Sequence, residues 1–279
     1  MRLFILALDG LESTLVDKWD LSGLKQKKHG TIDVSEFKHL LTPIIWASFI
    51  TGAPPEVHGI KSWWSVSNNS RLDSFLYWVV YNVPIIKNLS RQQLRNIGKY
   101  FGIQVRPPQE SDLTRKGLTN IFQGAKKAVV VDVPSYNETA DTRERYSKSM
   151  ELGFSNYEKE IWKIHNERVD RIFSQIDTKW DLFMVWIDLV DQLGHLWMDR
   201  DMSKMAKSYL SCELLAERIR KQIGPDTTLM IVSDHGMTTI DDIPAHSSHA
   251  YYSFNNDVNW EPKSILDYAD FIKQYIKDN

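Results

Sequence analysis

The stretch TTLMIVSDHG, Thr227 to Gly236, decides the class of fold. A short apolar and β-branched run stops abruptly on Ser-Asp-His-Gly. A run this short, bounded by turn residues, reads as a strand buried on both faces rather than as a helix. Three other stretches share its form: RLFILALDG (Arg2 to Gly10), KKAVVVDVPS (Lys126 to Ser135) and DLFMVWIDLVD (Asp181 to Asp191). Between them lie long helical patterns, notably Ser155 to Ile176 and Met202 to Gly224, the second with Ser203 as a candidate cap and Gly224 as a stop. The last stretch, Ser264 to Asn279, reads as an amphipathic helix. Buried strands alternating with helices make a largely parallel sheet covered on both faces, an α/β fold of three α/β/α layers. The rhythm breaks over residues 61–123, which are rich in aromatics and carry Pro84 and Arg106-Pro107-Pro108. The expectation is one catalytic domain, 1–279, with 61–123 inserted in it as a cap over the active face.

Composition narrows the function. The 279 residues are ample for a buried core, and a net charge of −2 gives no basis for a broad nucleic-acid-binding face. Cys212 is the only cysteine, so no internal disulfide forms, which fits a reducing compartment. The apolar run in MRLFILALDG is too short for a signal peptide, and Phe75 to Ile86 is too short to span a bilayer. A cytoplasmic protein without a membrane segment is the expectation.

In open α/β sheets the functional crevice lies beyond the carboxyl ends of the strands. Here those ends carry Asp9, then Asp188, Asp191 and His195, then Asp234 and His235, with His246 and His249 soon after. Singly, each has a plainer reading: Asp9-Gly10 is an ordinary turn, and Asp191 with His195 is an i,i+4 pair on a helix. A further group comes from LTPIIWASFITGAPPEVHGI, Leu41 to Ile60, where Thr42 precedes proline at the expected start of a helix. Its hydroxyl is either a simple N-cap or a group that meets an anion at the helix terminus. Carboxylates and imidazoles converging with such a hydroxyl suit two-metal phosphoryl transfer.

The order Asp-Gly, Thr-Pro…Thr-Gly…His-Gly-Ile, Asp-x-x-x-His, Ser-Asp-His-Gly-Met and a late His-Ser…Tyr-Ser resembles the alkaline phosphatase superfamily, and within it the type I phosphodiesterase/nucleotide pyrophosphatase family. The resemblance implies an alkaline-phosphatase-like sheet and a hydrolase of phosphate diesters. It implies Thr42 as the nucleophile that becomes a phospho-threonine. Asp9, Asp234 and His235 with the Thr42 oxygen would hold one divalent ion, and Asp191, His195 and His246 the other. Zn²⁺ is the ion implied, Mn²⁺ or another transition metal remaining open, and mixed imidazole and carboxylate donors suit it. By its spacing to Ala250–Ser253, His246 rather than His249 takes the last position.

One departure concerns the substrate. The family pattern has a phosphate-binding asparagine a little past His-Gly-Ile, and the counted position here is Trp63, with Lys61, Asn68 or Asn69 as possible substitutes. Trp63, Trp64, Tyr77, Trp78 and Tyr81 could stack a nucleobase, although aromatics also dominate small cores. The expected partner is thus a small phosphate ester, with a nucleotide as one candidate. A phosphomonoesterase or phosphonate hydrolase on the same scaffold is the alternative, and a catalytically silent metal-binding protein the third reading.

Overall fold

A computed structural model describes residues 2–66 and 105–277 of the chain. Most of the expected cap, including Asn68, Asn69, Tyr77, Trp78, Tyr81 and the apolar stretch Phe75 to Ile86, lies outside the described residues. Ten strands are described, in chain order β1 (Arg2–Leu8), β2 (Lys28–Asp33), β3 (Ser65–Val66), β4 (Val105–Arg106), β5 (Ala128–Val131), β6 (Leu182–Ile187), β7 (Thr227–Val232), β8 (Gly236–Ile240), β9 (Ile243–Ser247) and β10 (His249–Phe254). Six form the central sheet in the order β2-β10-β7-β1-β6-β5. The strands β7, β1, β6 and β5 are parallel, and β10 runs antiparallel to both β7 and β2.

Alternation along β1 shows why the sheet is covered twice. Phe4, Leu6 and Leu8 enter one core cluster while Leu3, Ile5 and Ala7 enter another, as a period of two residues requires. The first cluster packs under the helices Phe154–Gln175, Leu189–Trp197 and Met202–Ile223. The second packs under the helices Thr42–Thr51 and Asp267–Lys277. The layers are therefore α/β/α. Leu113, Ile121 and Phe122 join the second cluster, so this part of the 61–123 region packs against the main core.

Two helix starts differ from the sequence reading. Asp201, not Ser203, caps the Met202–Ile223 helix, accepting from the backbone N–H groups of Ser203 at 3.2 Å and Lys204 at 3.3 Å. A carboxylate there also offsets the positive helix end, which a hydroxyl does not. Thr42 is the first helical residue, and Leu41 is the cap, its carbonyl accepting from Ile44 at 2.9 Å. The Thr42 hydroxyl is thereby left for another partner. Among the described residues no helix is long and apolar enough to cross a membrane.

Candidate active site

Three adjacent parallel strands deliver the carboxylates. Asp9 follows β1, Asp234 follows its neighbour β7, and the helix carrying Asp191 follows its other neighbour β6. Gly10 makes this convergence possible. It adopts φ 70°, and a Cβ placed on it would come within 2.9 Å of the Asp191 Cβ and 3.0 Å of its Cα. Only glycine lets the turn after β1 press on that helix. Thr42 is 1 % exposed, and its hydroxyl donates to Asp9 Oδ1 over a long 3.5 Å. Ser135, at the turn after β5, donates to the carbonyl of Pro43 at 2.7 Å and ties down the start of the Thr42 helix.

The donor atoms gather in two linked groups, Asp9 with Asp234 and His235, and Asp191 with His235 and His246. His235 Nε2 lies 3.4 Å from Asp9 Oδ1 and 3.4 Å from Asp234 Oδ2. His195 Nε2 and His246 Nε2 each lie 3.4 Å from Asp191 Oδ1 and 3.1 Å from one another. His249 is exposed at the start of β10, paired across the strands with Asp33, and stays outside the cluster.

The protonation of these rings follows from their backbone partners. Carbonyls can only accept, so His235 Nδ1–H donates to the Gly236 carbonyl at 3.0 Å and His246 Nδ1–H to the Leu40 carbonyl at 2.6 Å. The neutral His235 ring then aims the Nε2 lone pair at two carboxylates. The long bond from Thr42 to Asp9 Oδ1 is the one donor there: His235 Nε2, Asp234 Oδ2 and Asp191 Oδ1 are buried without a hydrogen-bond partner. Lone pairs and carboxylates facing one another in a dry site are costly unless a proton or a metal cation lies between them. Backbone carbonyls holding the far nitrogens are also the usual outer support of histidine ligands. The residues present fit divalent metal ions.

Electrostatics separates the two halves. Burial, joined by the charges of Asp234, Asp191 and Asp188, pushes Asp9 well above the carboxylate range, against a hydrogen bond from Trp186. Burial and the Asp191 charge raise Asp234 to about 7, and burial with His246 lowers His235 to about 3. Asp191 behaves oppositely: burial raises it, but His195 and His246 outweigh that and hold it well below its ordinary value. The Asp191 charge raises His195. Burial opposes protonation of His246, yet the Asp191 carboxylate beside it brings it to about 9.

Residues 3–274 match the family described as type I phosphodiesterase / nucleotide pyrophosphatase. The chain belongs to that family. None of the curated protein sequences is significantly similar to this member of it. Among solved structures, murine ectonucleotide pyrophosphatase / phosphodiesterase 5 is similar at 14 % identity, covering 86 % of this chain and 58 % of its own, with a TM-score of 0.47. An inactive variant of the murine protein, in complex with AMP, is similar at 13 % identity over the same shares, with a TM-score of 0.44. The alkaline phosphatase of the Antarctic bacterium TAB5 is similar at 12 % identity, covering 99 % of this chain and 97 % of its own, with a TM-score of 0.46. The present phosphodiesterase-family chain thus spans little more than half the length of the murine protein.

The expected substrate residues are Lys61 and Trp63. Lys61 is exposed, and the half-buried Trp63 ring carries the Arg143 guanidinium 3.6 Å from its centroid. His58 accepts from the Ile60 N–H at Nδ1 (3.0 Å), so its Nε2–H is directed to Ser48 Oγ on the Thr42 helix at 3.1 Å.

A charged network behind the site escaped the sequence reading. Asp188 makes no side-chain cap. It accepts from the buried Arg168 and from the Tyr146 hydroxyl at 3.1 Å, while Arg168 Nε donates to Asp132 at 3.2 Å. Arg143 pairs with the buried Glu138 at 2.5 Å. These residues lie on four separate segments, and no local spacing announces their meeting. The one available hint was three charged residues close behind β5 and β6.

Proposed function

We propose that the protein is a metal-dependent phosphodiesterase of the nucleotide pyrophosphatase kind, with Thr42 as its nucleophile. The carrying observation is the His235 Nε2 lone pair, fixed by the Gly236 carbonyl and facing Asp9 and Asp234 with no donor between them. Asp9, Asp234 and His235 with the Thr42 oxygen are the residues that would hold one ion, and Asp191, His195 and His246 the other. Zn²⁺ in these donor sets would supply Lewis-acid charge at the phosphoryl oxygens and make the threonine alkoxide accessible near neutral pH.

The chain's own residues supply position. Thr42 stands at the N-terminus of a ten-residue helix, where partnerless N–H groups and the helix dipole favour a phosphoryl oxygen. The threonine oxygen forms the new bond to phosphorus, the ester oxygen leaves with the electron pair of the broken bond, and water later cleaves the phospho-threonine. Nucleotides are among the diesters and anhydrides that the family's description covers. The test is turnover of bis(p-nitrophenyl) phosphate with added Zn²⁺. Thr42→Ala should lose at least ~10³-fold in kcat while unfolding within about 1 kcal/mol of the parent, the worth of one hydrogen bond, and Thr42→Ser should keep measurable turnover. Near-full activity of Thr42→Ala would rule out the covalent mechanism.

A further inference from the structure

Asp9 has two oxygens with different surroundings. Oδ1 faces Thr42 Oγ1 at 3.5 Å and His235 Nε2 at 3.4 Å, on the reacting side. Oδ2 accepts from the indole Nε1–H of Trp186 at 2.8 Å, and Trp186 is fully buried. The strand register explains the reach. Ala7 on β1 lies beside Trp186 on β6, so a small side chain leaves room for the indole next to the end of β1. An indole N–H donates only, so it cannot bind a metal or exchange roles with the carboxylate.

The indole is itself held by charge. The Arg168 carbon Cζ lies 4.7 Å from the Trp186 ring centroid and that of Arg143 lies 5.5 Å away. Arg168 is 1 % exposed and is anchored by Asp188 and Asp132, and Arg143 by Glu138. A cation over an indole face withdraws electron density and favours a fixed ring position. Asp188 also stands at the start of the helix bearing Asp191 and His195. The network therefore touches both donor sets, one through Trp186 and the other through that helix.

We propose that Trp186 is a positioning residue for Asp9: its N–H, with the ring steadied by Arg168, pins Oδ2 so that Oδ1 faces Thr42 and His235. This rests on the metal-site reading given above. Outer partners of this kind typically change metal affinity 10–100-fold when removed.

The test is Zn²⁺ affinity, measured by competition with a chromophoric chelator on the metal-stripped full chain, independently of turnover. Trp186→Phe keeps an aromatic ring and removes the donor. It should weaken one of two bound ions by about 10–100-fold and leave the other within about threefold. In an Asp9→Ala background the same substitution should change affinity less than about twofold, since the partner through which it acts is gone. Should Trp186→Phe fail to fold, Trp186→Met, flexible and also without an N–H, serves the same comparison. Unchanged affinity for both ions, or a loss that persists in the Asp9→Ala background, would overturn the positioning role while leaving the metal site standing. A parent protein that binds no Zn²⁺ would instead remove the metal-site reading, and this inference with it.

Discussion

The two halves of the site are built from different materials. Asp9, Asp234 and His235 sit at strand ends and are fully buried. Asp191, His195 and His246 come from a helix and a hairpin, and the side chains of His195 and His246 are 43 % and 19 % exposed. The buried half holds two carboxylates raised above their ordinary range beside an imidazole that stays neutral. The open half holds one carboxylate that is balanced by two imidazoles and raises the proton affinity of both. The contrast teaches a division of labour. In the buried half the carboxylates ionise together only when a cation from outside offsets them, and that half meets Thr42, whereas the open half offsets its one carboxylate with its own imidazoles and faces the side where water can enter.

The sharpest break of that comparison removes one side chain from each half. Asp234→Ala leaves a dry gap that water cannot fill as a ligand. It should cost at least about 4 kcal/mol of transition-state stabilisation, on the order of 10³-fold in kcat/KM at saturating Zn²⁺. His195→Ala, at a wetter position, should cost only about 1–2 kcal/mol because a water can take the vacated place. Equal losses, or a larger loss at His195, would dissolve the distinction between the halves.

A second test examines whether the buried side is also the scaffold. Burial holds His58 at about 4, below its ordinary 6.5, while it bonds Ser48 on the Thr42 helix. Below pH 6.5 the unfolded chain takes up the proton that the folded ring refuses. The stabilising contribution is therefore complete above pH 6.5 and declines as pH falls towards 4, by about 3 kcal/mol in all and about 2 kcal/mol by pH 5. Urea unfolding of the parent and His58→Gln should converge by that amount between pH 7.5 and 5, since the remaining histidines are common to both. Parallel pH profiles would remove His58 from the scaffold.

Much of this design was legible in the sequence because it is local. β1, β5, β6 and β7 are continuous apolar runs, and the acids that end them are adjacent in the chain to their strands. The strands β2 and β10 were not singled out. β2, KHGTID, lies at the sheet edge with most positions at least partly exposed, so its pattern is weak. The hairpin β8–β9, which carries His246, is half-exposed and polar with a turn at Asp241-Asp242, and it has no core-facing run to betray it. Thr42 was read as a helix cap or a group that meets an anion, and only the structure places its hydroxyl against Asp9, a contact across 33 residues. Trp186 looked like one more apolar residue of a strand, because an indole's donor becomes visible only when its acceptor is placed.

The smallest expected effect concerns the ester class. Between His39 and Lys61 there is no arginine and a single lysine, and Arg143 near Trp63 is already paired with Glu138. Among the described residues of that stretch, a monoester's extra negative charge therefore finds little additional compensation. The kcat/KM for bis(p-nitrophenyl) phosphate should exceed that for p-nitrophenyl phosphate by about tenfold or more, a preference of about 1.4 kcal/mol. A clear preference for the monoester, in one buffer and with one metal, would move the reading to the phosphatase alternative.

The central claim is that two linked donor sets hold cations beside Thr42, and metal content tests it most directly. Purified protein equilibrated with Zn²⁺ and desalted should carry close to two transition-metal ions per chain by elemental analysis, and close to one when Asp234→Ala removes the buried half. A parent protein that retains none, and gains no diesterase activity on adding Zn²⁺ or Mn²⁺, would contradict the account.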